Sequence, residues 1–355
     1  MIRATTPTDR HLPWLDYSTM SAVNMCPRYG IITSYLGKRF AGLGEYRAMA
    51  LEAGSAMHDM FAAVRMFELL QHMKRVNSCV PDYVYNHGKK LFTSAQFPDR
   101  WEHMVQISDT PDDYKTMLMR FGLYALETSG FHDDPSDRRR TQTNLETCAI
   151  SYIDRYPINR YIPYTCADRQ FVGVEIGVDI VIEVSDVPPF RIVGKADGLC
   201  YDLLNNDRLE IHENKTGSRI DQSWASAFLV GHQPTTYITA LSMMLKIPIE
   251  YCTVWGTQIP LPKTSMYSDG QARLSVNRNK EQRNEWLAWV LDTWAVIRRH
   301  EHDPAIATMY THSCNRYFSS CALIPLCSDT IEQRRHVLQN EMISNRWSPL
   351  TAEEE

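Results

Sequence analysis

Glu213, Asn214 and Lys215 lie inside the run LEIHENKTG, and their spacing can do chemistry if the run is a strand. Residues two apart on a strand project from the same face, about 7 Å apart, so a carboxylate and an ammonium become neighbours. Such a carboxylate can hold a hard divalent cation, Mg²⁺ or Mn²⁺. The lysine can orient an attacking water and offset charge building on a phosphate. A second carboxylate, Asp197, lies in IVGKADGLCYD, on the preceding candidate strand. A short turn separates the two, so hairpin pairing would bring Asp197 beside Glu213, and the Asn214 backbone carbonyl could add a further oxygen ligand. Asp113-Tyr114-Lys115 satisfies the same Asp-x-Lys pattern but falls in a helical stretch, where positions two apart do not face each other. His58 is a candidate metal ligand or phosphate contact. A second group of reactive side chains is Cys314, Cys321 and Cys327, clustered after a long helix.

The elements that must position these residues can be read from apolar periodicity. Helix-spaced apolar residues cover 18–36 and 44–75, followed by a polar connection at 77–110 and a helix near 112–129. His132–Arg140 is charged and broken by Pro135, as an exposed loop would be. Near residue 170 the period becomes two, predicting a strand with one buried face over 172–183. Strands follow at 190–202 and 208–216, then a helix at 222–245, strands at 249–259 and 272–276, and a helix over 279–300. On the 222–245 helix Gln233 and Tyr237, four apart, share a face. Glu175 and Asp179 are candidate auxiliary acidic residues on the first strand. Trp286, Trp289 and Trp294 read as core or covering residues of the late helix. The order β-β-β-α-β flanked by helices predicts an α/β fold with a mixed central sheet.

These pieces together resemble the RecB-like branch of the PD-(D/E)xK nucleases. LDYSTMSAVNMCPRYGIITSYLG resembles the family's first helix, and Gly54-Ser55-Ala56-Met57-His58 its Gly-x-x-x-His motif. Gly-Lys-Ala-Asp197 and Glu213-x-Lys215-Thr216-Gly217 resemble the two central motifs, and Gln233-Pro234-Thr235-Thr236-Tyr237 the Gln-x-x-x-Tyr motif. The motifs occur in the family's order over residues 15–327, with no such support for 77–166 or for the last 28 residues. The resemblance implies a restriction-endonuclease-like core, with Asp197, Glu213 and Lys215 catalytic. His58, Asp197, Glu213 and Asn214 would hold the metal, and Gln233 and Tyr237 would engage DNA.

The same resemblance implies a [4Fe–4S] cluster held by Cys26, Cys314, Cys321 and Cys327, a structural staple joining distant parts of the chain. The family usually has two residues between the first two of the C-terminal three cysteines, whereas six separate Cys314 from Cys321 here. Zinc is the rival occupant, although no Cys-x-x-Cys pair is present. Cys79, Cys148, Cys166, Cys200 and Cys252 read as small buried hydrophobes. The implied division is a helical region over 1–166, a nuclease core over 167–277, a helix and cluster loop over 278–330, and a tail over 331–355 ending in the frayed Glu353–Glu355.

The implied activity is metal-dependent hydrolysis of DNA, as a single-strand exonuclease in repair, recombination or phage DNA processing. The alternatives are an end-trimming nuclease of the CRISPR-adaptation type, serving an integrase, or a non-cutting DNA-binding subunit of a helicase complex. No Gly-x-x-x-x-Gly-Lys-Ser/Thr loop occurs, so a motor would have to come from a partner. The formal net charge of −5 excludes a globally basic DNA-binding surface. Local candidates are Arg28, Lys38, Arg39, Arg138–Arg140 and Arg298-Arg299. Nine cysteines without a secretory leader argue against a disulfide framework. With no apolar run of about 18 residues, the expectation is a soluble intracellular protein with no membrane span.

Overall fold

A computed structural model describes residues 2–40, 49–76, 83–86, 89–93, 110–166, 171–261, 270–316 and 319–350. Cys79, residues 44–48 of the expected second helix, most of the 77–110 connection and Glu353–Glu355 lie outside them. The fold is mixed α/β, with a mostly antiparallel central sheet flanked by helices. Two compact units divide the chain: one of Arg47–Val178 and Lys195–Arg278, the other of Met1–Tyr46, Asp179–Gly194 and Asn279–Glu355.

The strands are β1 (Ile2–Ala4), β2 (Trp14–Leu15), β3 (Lys38–Phe40), β4 (Tyr161–Pro163), β5 (Val174–Val184), β6 (Val187–Asp202), β7 (Arg208–Gly217), β8 (Tyr251–Gln258), β9 (Gln271–Asn277) and β10 (Met342–Ser344). The helices are α1 (Tyr17–Met25), α2 (Met49–Arg75), α3 (Pro111–Glu127), α4 (Gln142–Arg155), α5 (Gln222–Val230), α6 (His232–Leu245), α7 (Lys280–His300) and α8 (Ile331–Asn340). Single turns and the two-stranded pairings outside the central sheet are named where they matter.

In the first unit β6 pairs antiparallel with both β4 and β7, β7 runs parallel to β8, and β8 pairs antiparallel with β9. The parallel β7–β8 pair needs a crossover, which α5 and α6 supply. The 27-residue α2 is rich in Ala, Met, Leu and Glu, all strong helix formers. From Met60 to Gln71 it is buried on every side, because α3 and α4 pack on it along with β4 and β7. Met57, Met60, Phe61, Val64 and Phe67 are fully enclosed, and burying each such side chain contributes about 1.5–3 kcal/mol. No family motif falls within 142–155, yet α4 carries Leu145, Cys148, Ala149, Tyr152 and Ile153 on its buried face.

The alternation at 172–183 predicts one buried face, but Val174–Val178 is buried on both. Glycine at 173 and 177 makes the pattern look half polar, although a small residue between packed layers is as buried as its neighbours. The expected single helix over 222–245 is two helices. Pro234 has no N–H to give the carbonyl of Val230, so α5 cannot continue through it, and Gly231 is extended between the two.

In the second unit β1 pairs antiparallel with β5, β2 runs parallel to β6, and β3 pairs antiparallel with β10. The expected helix over 18–36 is interrupted at Cys26, which is extended before Pro27. A single turn over Pro27–Tyr29 and a π-helical segment over Gly30–Tyr35 follow. Trp286 and Trp294 of α7 are fully buried, and Trp294 stacks on Phe190 with ring centroids 4.8 Å apart. The tail is ordered over 331–344: Thr330 and Gln333 form a capping box for α8, and β10 follows. Among the described residues no helix is long and apolar enough to cross a membrane.

Candidate functional site

Strands β6 and β7 pair from Asp202–Arg208 up to Gly198–His212. At the next step the ladder gives way to a side chain. The Asn214 N–H donates to Asp197 Oδ2 at 2.6 Å, so a carboxylate stands where a strand carbonyl would. The hairpin thus brings Asp197 beside Glu213, as the sequence predicts. Glu213 Oε1 accepts the Lys215 ammonium at 2.6 Å, across the i, i+2 spacing on one face. It also accepts from the Gln233 side-chain amide at 2.9 Å, at the first turn of α6.

Helix α2 delivers His58. Gly54, one turn earlier, faces Thr216 at the end of β7, and His58 Nδ1 lies 3.2 Å from Asp197 Oδ1. The third group of this corner is Glu175. One ligand atom from each of His58, Glu175 and Asp197 lies within 4.8 Å of the others. Glu175 has φ of +52°, in the left-handed region. That conformation costs a non-glycine residue on the order of 1–2 kcal/mol, and it takes the side chain out of simple alternation. Lys195 pairs with its Oε2 at 2.5 Å. Glu175 was only one of two auxiliary candidates from the sequence. Its companion Asp179 instead pairs with Arg191 at 2.6 Å and accepts from Thr5.

The charges are unevenly shared. Burial alone would raise Asp197, but His58 and then Lys215 and Arg65 overcome it and hold the carboxyl well below the usual range. Glu213 goes the other way: burial and the Asp197 charge push it up against the pull of Lys215. Burial opposes charge on His58 and Lys215, yet the carboxylates beside them leave both raised. Glu213 Oε2 is buried without a hydrogen-bond partner. An imidazole nitrogen, two converging carboxylates and an unsatisfied carboxylate oxygen fit a hard divalent cation. Of the four ligands expected from the sequence, His58 and Asp197 belong to the converging corner. Glu213 is turned to Lys215 and Gln233, and the Asn214 amide plane is fixed by its bond to Asp197.

Gln233 and Tyr237 share one face of α6, and Gln233 lies 3.4 Å from the Tyr237 hydroxyl. Tyr237 is buried and Gln233 points at Glu213, so both belong to the wall of the site.

The four expected cluster cysteines meet in the second unit. Cys26, Cys314, Cys321 and Cys327 all line one cavity of about 380 Å³, with Tyr29 and Met309. The break at Pro27 turns Cys26 out of α1 into this space. The six-residue gap after Cys314 is taken up by a small hairpin, Asn315–Arg316 against Ser319–Ser320. The Cys321 N–H then donates to the Cys314 carbonyl at 2.8 Å, closing the loop. Leu323 lines the cavity and packs with Leu326, Ile32, Ala305, Leu338 and Met342. Arg334 of α8 donates to the carbonyls of Leu326 and Cys327 at 3.2 and 3.1 Å.

No family model and no curated protein matches the chain. Among solved structures it is similar to one titled "Crystal structure of SSO0001", at 17% identity and a TM-score of 0.25, over 35% of this chain and 48% of that one. The match therefore spans about half the length of that chain.

Several of the remaining sequence candidates have structural occupations. Arg28 is buried and donates to the Ala307 carbonyl at 3.0 Å. Lys38 donates to the Leu338 carbonyl, and Arg140 pairs with Asp137. Lys115 of the Asp-x-Lys decoy is on α3, in an exposed pair with Asp154 at 3.4 Å. Cys148, Cys200 and Cys252 are buried, as small hydrophobes would be, and Cys166 is half-buried.

Proposed function

We propose that this chain is a divalent-metal-dependent DNA nuclease of the RecB-like PD-(D/E)xK type, with an iron–sulfur cluster as a structural staple. The observation that carries the reading is the convergence of His58, Glu175 and Asp197 within 4.8 Å, beside the Glu213–Lys215 pair on the adjoining strand. His58, Asp197 and Glu175 would hold Mg²⁺ or Mn²⁺, with the open oxygen of Glu213 completing the set. A cation bound there supplies Lewis-acid stabilisation of a phosphate and lowers the pKa of water. Lys215, kept charged by Glu213, orients the attacking water and offers its ammonium to the charge that develops on a phosphate oxygen. Gln233 fixes Glu213, and thereby the direction of the lysine. Asp197, braced by Asn214 N–H, stays ionised.

The cavity between the four thiols supports the cluster. A tetrahedral zinc site with bonds of 2.3 Å needs its sulfurs about 3.8 Å apart. Four cysteines around about 380 Å³ suit a larger occupant, a [4Fe–4S] cube.

The substrate we propose is single-stranded DNA or a single-stranded end, degraded exonucleolytically. The test is incubation of the full chain with single-stranded DNA labelled at either the 5′ or the 3′ end, with Mn²⁺. The expected result is stepwise shortening from one end, abolished by chelator. Intact substrate at saturating protein, or full activity in excess chelator, overturns the proposal.

A further inference from the structure

Arg65 lies two turns after His58 on the same face of α2 and is fully buried. Among the described residues no carboxylate lies within ion-pair distance of it, so nothing nearby pairs its charge directly. Its Nη1 reaches the Phe61 carbonyl at 3.4 Å, within its own helix. With the Asn214 amide turned so that its oxygen faces the guanidinium, both Nη atoms donate to that oxygen, Nη1 at 3.0 Å. On the neighbouring strand an ideal Cβ placed on Gly198 would lie 2.7 Å from Arg65 Nε. Position 198 therefore accommodates only glycine while the guanidinium is where it is. The group is wedged beneath the two residues that follow the hairpin carboxylates, Gly198 after Asp197 and Asn214 after Glu213.

An unpaired buried cation is costly to keep, and replacing it with an apolar residue of similar volume is often neutral or stabilising. Its contacts say what it does. Arg65 grips the side chain of Asn214, and the backbone N–H of the same residue holds Asp197 Oδ2. The β6–β7 ladder has already ended at this step, so that pairing does not hold Asp197 against β7. We infer that Arg65 is the positioning residue of the metal corner, locking Asn214 and through it Asp197 where His58 and Glu175 converge. This rests on the metal-site part of the reading above. Groups that orient ligands in this way typically contribute about 10–100-fold to metal affinity.

The test is direct Mn²⁺ binding to the full chain as purified, followed by the electron paramagnetic resonance of free Mn²⁺, with thermal unfolding measured alongside. Arg65→Met keeps the volume and removes the fork. The expected result is an Mn²⁺ Kd about 10–100-fold weaker with the unfolding midpoint unchanged or higher, and Arg65→Lys intermediate in Kd. A purely structural arginine would give the reverse, a lower midpoint with unchanged affinity, and an Arg65→Met Kd within twofold of wild type overturns the inference. If Arg65→Met does not fold, Gly198→Ala decides: its methyl displaces the guanidinium and should weaken Mn²⁺ binding, and unchanged affinity overturns the inference. Wild type that binds no Mn²⁺ refutes both this inference and the metal site. Wild type that binds Mn²⁺ but cuts no DNA refutes only the nuclease reading, and Arg65 is still judged on Kd.

Discussion

Gln233 donates its side-chain amide to Glu213 Oε1 at 2.9 Å, onto the same oxygen that takes the Lys215 ammonium at 2.6 Å. The glutamine therefore acts on the carboxylate that aims the lysine. The sequence pattern suggested a residue reaching for DNA from a helix face, and the geometry turns it inward.

From this, Gln233→Ala should slow single-turnover cleavage by about 10–100-fold, the size of a lost hydrogen bond to a charged group, with little change in DNA affinity. Tyr237→Phe, which loses only a 3.4 Å contact, should stay within a few-fold of wild type. A Gln233→Ala variant that weakens DNA binding but cleaves bound DNA at the normal rate would restore the outward-facing role.

Lys215→Ala removes the ammonium paired with Glu213, which under the proposed function would face the phosphate. Cleavage should fall by about 10²–10³ or below detection, while DNA binding persists because backbone contacts spread over many residues carry most of the affinity. Lys115→Ala is the internal control. It breaks only an exposed pair with Asp154 on α3, and such pairs contribute about 0–1 kcal/mol. Filter binding and a cleavage time course on both variants separate the two lysines. An inactive Lys115→Ala would mean that the chemistry lies at α3 and not at the Glu213–Lys215 strand.

Stability should fall as pH rises from the acid range up to about 7, because of Glu68 in the middle of α2. It is buried beneath Tyr114 with the Asn159 N–H on one oxygen at 3.1 Å, and burial pushes its pKa up to about 7. The unfolded chain would release that proton near the ordinary glutamate value of about 4.3. Between the two values the folded state binds more protons, so the stabilisation is fully present below the unfolded value and lost as pH passes about 7. The full effect is on the order of 3 kcal/mol. Denaturant titrations at several pH values should show a slope that Glu68→Gln flattens.

The hairpin was legible because Asp197 and Glu213 sit on successive strands joined by a short connection, residues 203–207, and pairing follows from so short a link. Glu175 was harder. Its place at the corner depends on a left-handed φ within a strand, and no periodicity predicts a residue that leaves the period. The division of α5 from α6 was written in Pro234 but masked by continuous helical spacing. The buried charge of Arg65 was hidden because α2 is enclosed on every side from Met60 to Gln71, so a polar residue inside that run marks no solvent face. The tail over 331–344 carried no motif, yet the capping residues Thr330 and Gln333 were readable as a helix start.

The cysteine cavity yields the last prediction. Chain purified without oxygen should be brown, contain about four irons and four sulfides per chain, and lose both when any one of Cys26, Cys314, Cys321 or Cys327 becomes serine. Cys314 is the informative position. Its spacing departs from the family pattern, but the Asn315–Ser320 hairpin and the Cys321 N–H bond to the Cys314 carbonyl return it to the cavity. Cys314→Ser should therefore be as damaging as Cys327→Ser. Cys166→Ser, half-buried in the other unit, should leave colour and iron content unchanged. The variants should also lose folded yield, because the cluster would tie Cys26 to a segment nearly 300 residues later in the chain, and metal binding to such a site is folding energy. Metal analysis decides between occupants: stoichiometric zinc in a colourless protein would exclude the cluster, and a brown Cys314→Ser protein with full iron would remove Cys314 from the ligand set.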